Sequence, residues 1–171
     1  MSLIEKIKNN DITKLHLTWN DEEILENWSA ACKVLKDNTS ILTVILDDEF
    51  LGCLRHDARS QFLASLADLS NLQELSLQDA LVQIDDVAKI LNKVKGLKVL
   101  TLKSLVFQGL QKEFDATETS IKVHPSLKEL KIENCGPAID SVDMSNLKLG
   151  ATNHGGTIDE NSSTLMNPAA A

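Results

Sequence analysis

Cysteine is scarce in this chain, and its spacing fits neither a disulfide framework nor a zinc site. Cys32, Cys53 and Cys135 are an odd number, lie far apart and form no Cys-x-x-Cys pair. Disulfide-rich domains and structural zinc sites need several cysteines at short, regular intervals. We therefore expect three reduced thiols that pack as small hydrophobic side chains, and no bound metal.

Long apolar runs are absent too. No stretch approaches the ~18 consecutive apolar residues that identify a membrane-spanning helix. The segment from Met1 to Lys8 has no long apolar core of the kind found in a signal peptide. These absences predict a cytoplasmic protein with no membrane partner.

Positive charge is in deficit. The chain has 17 Lys and Arg residues against 25 Asp and Glu residues, which gives a formal net charge of −8. An acidic surface repels phosphate backbones unless a local basic patch exists, and the sequence contains none. We therefore expect no nucleic acid partner.

Catalytic and cofactor-binding motifs are missing. Four histidines occur without a nucleophile elbow or another local catalytic signature: His16, His56, His124 and His154. The glycines stand singly apart from Gly155-Gly156, so no glycine-rich loop can cradle a phosphate. Asp47-Asp48-Glu49 lacks the spaced acids and turn glycine of a calcium loop. The sequence predicts a protein that is not an enzyme and has no cofactor.

What the sequence does contain is an internal repeat. Its clearest copy is Leu72-Gln-Glu-Leu75-Ser-Leu77, with apolar residues spaced by three and then by two. The same spacing recurs at Ile12, Leu15, Leu17; Ile41, Val44, Leu46; Leu97, Leu100, Leu102; and Leu127, Leu130, Ile132. The copies starting at residues 12, 41, 72, 97 and 127 advance by 29, 31, 25 and 30 residues. Periods of this size are typical of stacked structural units.

The pattern resembles the leucine-rich repeat family over about residues 10 to 136. That family's consensus continues with Asn or Cys three residues after the last leucine, and with an apolar residue two positions later. The first position is matched by Asn20 and Cys135, and the second by Leu51, Val82 and Phe107. The first position departs from the consensus at Glu49, Ala80 and Leu105, so the ladder of buried asparagines would be interrupted in the middle.

The resemblance implies a fold similar to the ribonuclease-inhibitor-like class. This is a short right-handed α/β solenoid of five repeats, with a parallel sheet on the concave side and helices on the convex side. Strands are expected near residues 13–18, 42–47, 73–78, 98–103 and 128–133. Residues 1–10 would form a helical cap, 11–136 the repeat domain and 137–149 an irregular C-terminal cap. Residues 150–171 are small and polar, which predicts a flexible tail.

Helical patterns fill the first two intervals between the strands. The first helix is expected to begin at Asn20 as N-cap, with Glu23 reaching back as in a capping box. It should end near Asp37-Asn38. The second helix is expected to carry Phe62, Leu66 and Leu69.

The next two intervals differ from each other. Val87, Ile90, Leu91 and Val94 have helical spacing, and Gly96 follows where a left-handed C-cap glycine belongs. Between residues 104 and 126 the sequence predicts a short helix, then a threonine-rich polar run that Pro125 closes. The short helix is marked by Phe107, Leu110 and Phe114.

Alternation along the strands predicts a binding face. Side chains next to the repeat leucines point to the opposite side of the sheet. They are Lys14, His16, Thr18; Thr43, Ile45, Asp47; Glu74, Ser76, Gln78; Val99, Thr101, Lys103; and Glu129, Lys131, Glu133. Trp19 follows the first strand, and tryptophan is favoured at protein interfaces. The centre of this face combines the apolar Ile45 with polar neighbours.

The expected function is non-catalytic binding of an unidentified protein through this face. One alternative is that the chain is a segment of a longer repeat protein; it should be a monomer if both of its ends are capped. A second alternative comes from the family resemblance, because some leucine-rich repeat proteins accelerate GTP hydrolysis by presenting an arginine. Arg55 follows the second strand and is the candidate for that role.

Overall fold

The computed structural model describes residues 1–138, which form one parallel sheet and a set of helices. The strands are β1 (Lys14–Leu17), β2 (Thr43–Leu46), β3 (Glu74–Gln83), β4 (Val99–Gln108), β5 (Glu129–Glu133) and β6 (Gly136–Pro137). The helices are α1 (Leu3–Lys8), α2 (Glu22–Glu26), α3 (Trp28–Lys36), α4 (His56–Leu66), α5 (Ile84–Lys93) and α6 (Gln111–Val123). A short 3₁₀ turn covers Leu51–Cys53. The predicted C-terminal cap from residue 139 onward and the predicted tail lie outside the described residues.

The strands pair in the order β1-β2-β3-β4-β5, and every described pairing is parallel. Equivalent repeat positions stand opposite one another across the sheet. One row is Leu15, Val44, Leu75, Leu100 and Leu130, and the next is Leu17, Leu46, Leu77, Leu102 and Ile132. All ten side chains are buried. The prediction of an α/β fold with a parallel sheet is confirmed.

The helices pack as a layer on one face of this sheet. Neighbouring helices along the chain contact each other, with α3 against α4, α4 against α5 and α5 against α6, while α1 packs on α3. Their apolar residues join the two leucine rows in one hydrophobic cluster. Removing this surface from water is the main force that holds the layers together. None of the described helices is long and apolar enough to cross a membrane.

β3 and β4 extend beyond their predicted ends at residues 78 and 103. After Asp79 and Ser104 the two strands pair again, from Ala80 with Leu105 to Gln83 with Gln108. The short strand β6 pairs with this extension of β4. The extension buries the apolar pair Val82 and Phe107, which accounts for the longer strands.

A left-handed residue recurs where the strands bend. Asp48, Asp79, Ser104 and Asn134 have φ values of 42°, 56°, 53° and 52°. Each lies two residues after the last apolar residue of its repeat copy, which is Leu46, Leu77, Leu102 or Ile132. Asn and Asp tolerate this conformation better than most residues with a side chain. Three of these four residues are Asp or Asn, so the bend forms at them without a glycine.

The first predicted helix is divided, and its predicted cap is wrong. Asn20 is not the N-cap, because α2 begins after Asp21, whose carboxylate Oδ2 accepts a bond from the Thr18 backbone N at 2.6 Å. Glu23 does not reach back within its own helix. Its two carboxylate oxygens accept bonds from the backbone N of Leu3 and Ile4, at 3.1 and 3.0 Å. Glu23 therefore caps the N-terminal helix α1 across space.

Three further helix predictions need correction. Leu69 is buried but lies after α4, which ends at Leu66. Gly96 is not a left-handed cap, because α5 is followed by Val94 at φ −92° and ψ 83°, and Gly96 itself lies outside the left-handed region. The threonine-rich run is helical, and Phe107 belongs to β4. Thr117 Oγ1 donates to the Glu113 carbonyl at 2.8 Å, which satisfies a buried hydroxyl inside α6.

Asn38 and His124 each accept hydrogen bonds from the backbone of the turn before a strand, in two different units. Asn38 Oδ1 accepts bonds from the backbone N of Ser40 and Ile41, and its Nδ2 donates to the Ile7 carbonyl at 2.8 Å. His124 Nδ1 accepts bonds at 3.1 and 3.0 Å from the backbone N atoms two and three residues later. Its Nε2 lies 2.8 Å from the Val94 carbonyl, so this network requires the tautomer with the proton on Nε2.

Both side chains are buried and stand three residues before the first apolar residue of their repeat copy. They tie the turn before a strand to the preceding unit. In the units that carry Leu69 and Val94 at this position, the backbone carbonyl of that residue accepts the bond instead. A polar side chain is thus needed only where the chain does not close this turn by itself.

Removal of the His124 side chain tests this interpretation. His124→Ala leaves two backbone donors and one carbonyl without this partner, so we expect a loss of about 1–3 kcal/mol in the free energy of unfolding. His124→Asn should recover part of the loss, because Asn38 makes the same bonds. Urea denaturation provides the measurement, with the exposed His56→Ala as control at about ±0.5 kcal/mol. Equal unfolding midpoints for the two alanine variants would contradict the proposed role.

We expect Glu23 to make a pH-dependent contribution to the stability of the fold. The hydrogen bond from the Ile4 backbone N lowers the pKa of Glu23 from its ordinary value of 4.5, and the bond from Leu3 acts in the same direction. The contribution is therefore complete above pH 4.5 and is lost as the pH falls through the lower folded-state value. Glu23→Gln should lower the melting temperature at pH 7, and the difference from wild type should shrink at acidic pH. Glu26→Gln on the same helix is the matched control, and an identical profile for it would refute the assignment.

A third prediction concerns Gly109 between β4 and α6. A Cβ atom at this position would lie 2.5 Å from Cγ2 of Ile84, whose side chain is fully buried. We expect Gly109→Ala to destabilise the fold by about 1–3 kcal/mol, the usual cost of overpacking. Gly136→Ala is the control, since nothing lies within 4 Å of an added Cβ there. Thermal melting of both variants checks the difference.

Candidate functional site: the open face of the sheet

The predicted binding residues form three rows on the sheet face that the helices leave open. Strand register places Lys14, Thr43, Glu74, Val99 and Glu129 in the first row. The second row is His16, Ile45, Ser76, Thr101 and Lys131, and the third contains Gln78, Lys103 and Glu133. All of these side chains are exposed or half-buried, whereas their strand neighbours are buried. This geometry follows from the two-residue period of a strand.

A depression of about 340 Å³ crosses the middle of this face. Its lining comes from four strands and the residues that follow them, and includes His16, Thr43, Ile45, Asp47, Glu74, Ser76, Gln78, Val99 and Thr101. Lys14, Lys103 and the three residues of β5 do not line it. The structure thus brings together the residues on β1 to β4 and leaves Glu129, Lys131 and Glu133 to one side.

Ile45 and Val99 provide the apolar part of the depression. Both are half-buried, and they lie on β2 and β4 with β3 between them. The intervening strand contributes Glu74 and Ser76. A ligand that covered this area would therefore meet two aliphatic contacts separated by hydrogen-bonding groups.

The polar side chains of the face are only weakly tied to one another. His16 Nε2 lies 3.4 Å from Asp47 Oδ2, Gln78 Nε2 donates to Ser76 Oγ at 3.1 Å, and Lys131 pairs with Glu129 at 3.3 Å. Exposed pairs of this kind contribute about 0–1 kcal/mol each. They can be exchanged at low cost for bonds to a partner.

Two further residues of the predicted set, Thr18 and Trp19, also lie apart from the depression. Thr18 belongs to the turn before α2, where its backbone N and its Oγ1 both donate to Asp21 Oδ2. Trp19 is 56% exposed, and it lines a second hollow with Asp48, Glu49 and Asp79. The structure therefore divides the predicted site into an open face and a separate hollow beside Trp19.

The two arginines have different environments. Arg55 is exposed at the N-cap position of α4 and makes no side-chain cap bond there. Arg59, to which the sequence suggested no role, donates to three backbone carbonyls: Leu51, Leu54 and Leu81. Partial burial lowers the pKa of Arg59 from its ordinary value. Arg59 therefore ties the 3₁₀ turn to the extension of β3, while a role for Arg55 at a phosphoryl group stays a prediction.

The cysteines also differ. Cys135 is buried and Cys32 is half-buried, but Cys53 is exposed, so the prediction of buried packing is wrong for Cys53. Burial raises the pKa of Cys135 to about 11, and burial also raises the pKa of Cys32. Both thiols are therefore protonated at neutral pH and are poor nucleophiles. Within residues 1–138, no group of three His, Cys, Asp or Glu side chains is placed to hold a metal ion.

Comparison with known proteins assigns neither a family nor a function to the chain. No model of a protein family matches the chain, and no curated protein matches its sequence. The chemistry of the open face and of the hollow beside Trp19 is therefore the basis for inferring function.

Proposed function

We propose that residues 11–136 form a short leucine-rich repeat solenoid that binds a protein partner through the open face of its sheet. The repeat assignment is supported by the register, because equivalent leucine positions of all five copies stand opposite one another. It is also supported by a helix after each of β1 to β4, as in a stack of strand-helix units. In such a solenoid the open face would be the concave one.

The observation that carries the binding proposal is the depression on β1 to β4. Protein interfaces combine an apolar, desolvated centre with a polar and more accessible rim. Ile45 and Val99 would form the centre, while Glu74, Ser76 and Thr101 would supply hydrogen bonds around them. The buried leucine rows below hold these side chains on a rigid sheet, so little conformational entropy would be lost on binding.

A second line of support is that the residues of each strand that stabilise the core alternate with the residues that would contact a partner. The alternate side chains of β3 illustrate this: Leu75 is buried, whereas Glu74 is exposed. Surface substitutions usually change the free energy of unfolding within about ±0.5 kcal/mol. The open face can therefore vary in sequence without loss of the fold, as a recognition surface requires.

Single alanine substitutions at Ile45, Glu74, Thr101 and Lys103 test the proposal. A pull-down with the purified protein identifies a partner, and calorimetry then measures its dissociation constant for each variant. We expect the largest loss at Ile45, above about 1 kcal/mol if it is a central contact, and smaller losses of about 0.2–1 kcal/mol at the rim residue Lys103. The melting temperatures should stay close to wild type.

Two controls make this experiment decisive. Lys33→Ala changes an exposed residue of α3 in the helix layer and should leave binding unchanged. Leu75→Ala removes a buried side chain and should cost about 2–5 kcal/mol in the free energy of unfolding. If all four open-face variants bind normally while helix-layer variants do not, the partner binds the helix side and the proposal is wrong.

A further inference from the structure

We propose that the partner segment on the open face is an amphipathic α-helix that lies diagonally across the depression. This inference rests on the proposed function, because it names the kind of element that would occupy the same surface. It is supported by the pairing of the backbone below the depression, by the spacing of two aliphatic side chains and by the charge between them.

The backbone below the depression favours a helix over an extended peptide. β2, β3 and β4 each pair with a strand on both sides, and only His16 of the lining comes from the edge strand β1. The N–H and C=O groups of an inner strand are used by its two neighbours. An extended peptide on this face would bury its own backbone groups without backbone partners, whereas a helix satisfies them internally. Strand addition therefore does not suit this face, and a helix in a groove does.

The two aliphatic side chains of the depression are separated by about two turns of a helix. Register pairs Val99 with Glu74 and Glu74 with Thr43, and Ile45 lies two residues further along β2. The separation is two strand spacings of ~4.8 Å and two residues of ~3.3 Å, or about 12 Å between Cα positions. Residues i and i+7 of a helix are ~10.5 Å apart and lie on one face. A diagonal helix thus brings apolar residues at i and i+7 to Ile45 and Val99.

Glu74 determines the charge expected in the middle of that helix. It is exposed, lines the depression and lies on β3, between the strands of Ile45 and Val99. Within residues 1–138 its carboxylate takes part in no ion pair. The helix residue at i+4 would stand above Glu74 and Ser76. A lysine at i+4 complements the carboxylate, and its stem covers apolar surface.

The width of the depression fits one helix. Its lining comes from β1 to β4, which span three strand spacings or about 14 Å. A helix with its side chains is ~10–12 Å in diameter. Two packed helices, with axes ~8–10 Å apart, would extend beyond this width. A single helix is therefore the occupant that the open face accommodates.

A model helix tests the inference without a known partner. The probe is a fluorescein-labelled, hydrocarbon-stapled alanine-rich peptide with leucine at i and i+7 and lysine at i+4. The staple is needed because free helices shorter than ~12–15 residues are marginal in water. In one control peptide the second leucine is moved to i+9, on the opposite side of the helix. Another control is unstapled and carries a central proline, which breaks the helix.

Fluorescence anisotropy should show that the model helix binds the wild-type protein. We expect about tenfold weaker binding of the i+9 peptide, because only one of its leucines reaches the face. Ile45→Ala and Val99→Ala should each weaken the model helix about fivefold or more. The melting temperatures of both variants should stay close to wild type, since both side chains are only half-buried.

A charge exchange tests the expected position of the lysine. Glu74→Lys should weaken the model helix about two- to fivefold, and a peptide with glutamate at i+4 should bind this variant more tightly than wild type. Glu133→Lys is the matched control, because Glu133 lies on the same face but outside the depression. At ~0.15 M salt it should bind the model helix nearly as wild type does, since screening acts over about 8 Å.

Several results would overturn the inference. They are no binding of the model helix, equal binding of the i+9 or proline peptide, and equal weakening by Glu74→Lys and Glu133→Lys. The proposed function is decided separately, by the alanine variants and the captured partner. If Ile45→Ala weakens that partner while the model helix does not bind, the open face is the site but its occupant is not a helix.

Discussion

Burial of two aligned rows of aliphatic side chains is the constraint on which the rest of the structure depends. Leu75 and Leu77 exemplify it, because each stands between equivalent residues of the neighbouring strands. A full shift of register by one residue would turn every such side chain toward water, at a cost of about 1.5–3 kcal/mol for each leucine. The alternate side chains are forced to the open face for the same reason, so the core determines where a partner could bind.

Burial of apolar side chains is not directional, so polar side chains are needed to fix the turns between the strands. Asn38 and His124 close the turns before their strands, and Arg59 binds carbonyls of a turn and of an extended strand. Each of these side chains adds hydrogen bonds to backbone groups near its turn, where a buried group left without a partner costs about 1–3 kcal/mol. The departures from the regular repeat are therefore compensated locally, and the register of the leucine rows is kept through them.

The open face and the hollow beside Trp19 are two separate surfaces of one scaffold. The open face offers aliphatic contacts from Ile45 and Val99 with exchangeable hydrogen bonds, which suits shape-based binding. The hollow lies beside the exposed indole ring of Trp19 and is lined by three acidic side chains. Because the strands run parallel, their ends lie along one edge of the sheet, and the hollow is made by consecutive units at that edge.

The sequence by itself determined the parallel α/β fold, the positions of the five repeat strands and the division of each strand into buried and open residues. These follow from local spacing, since alternation and repeat period depend only on neighbours along the chain. Only the tertiary structure decided that Glu23 caps α1, that β3 and β4 continue past their bends, and that Trp19 meets acids from two other units. Each of these depends on a contact between different units, whose energy is set by geometry that no local pattern of residues contains.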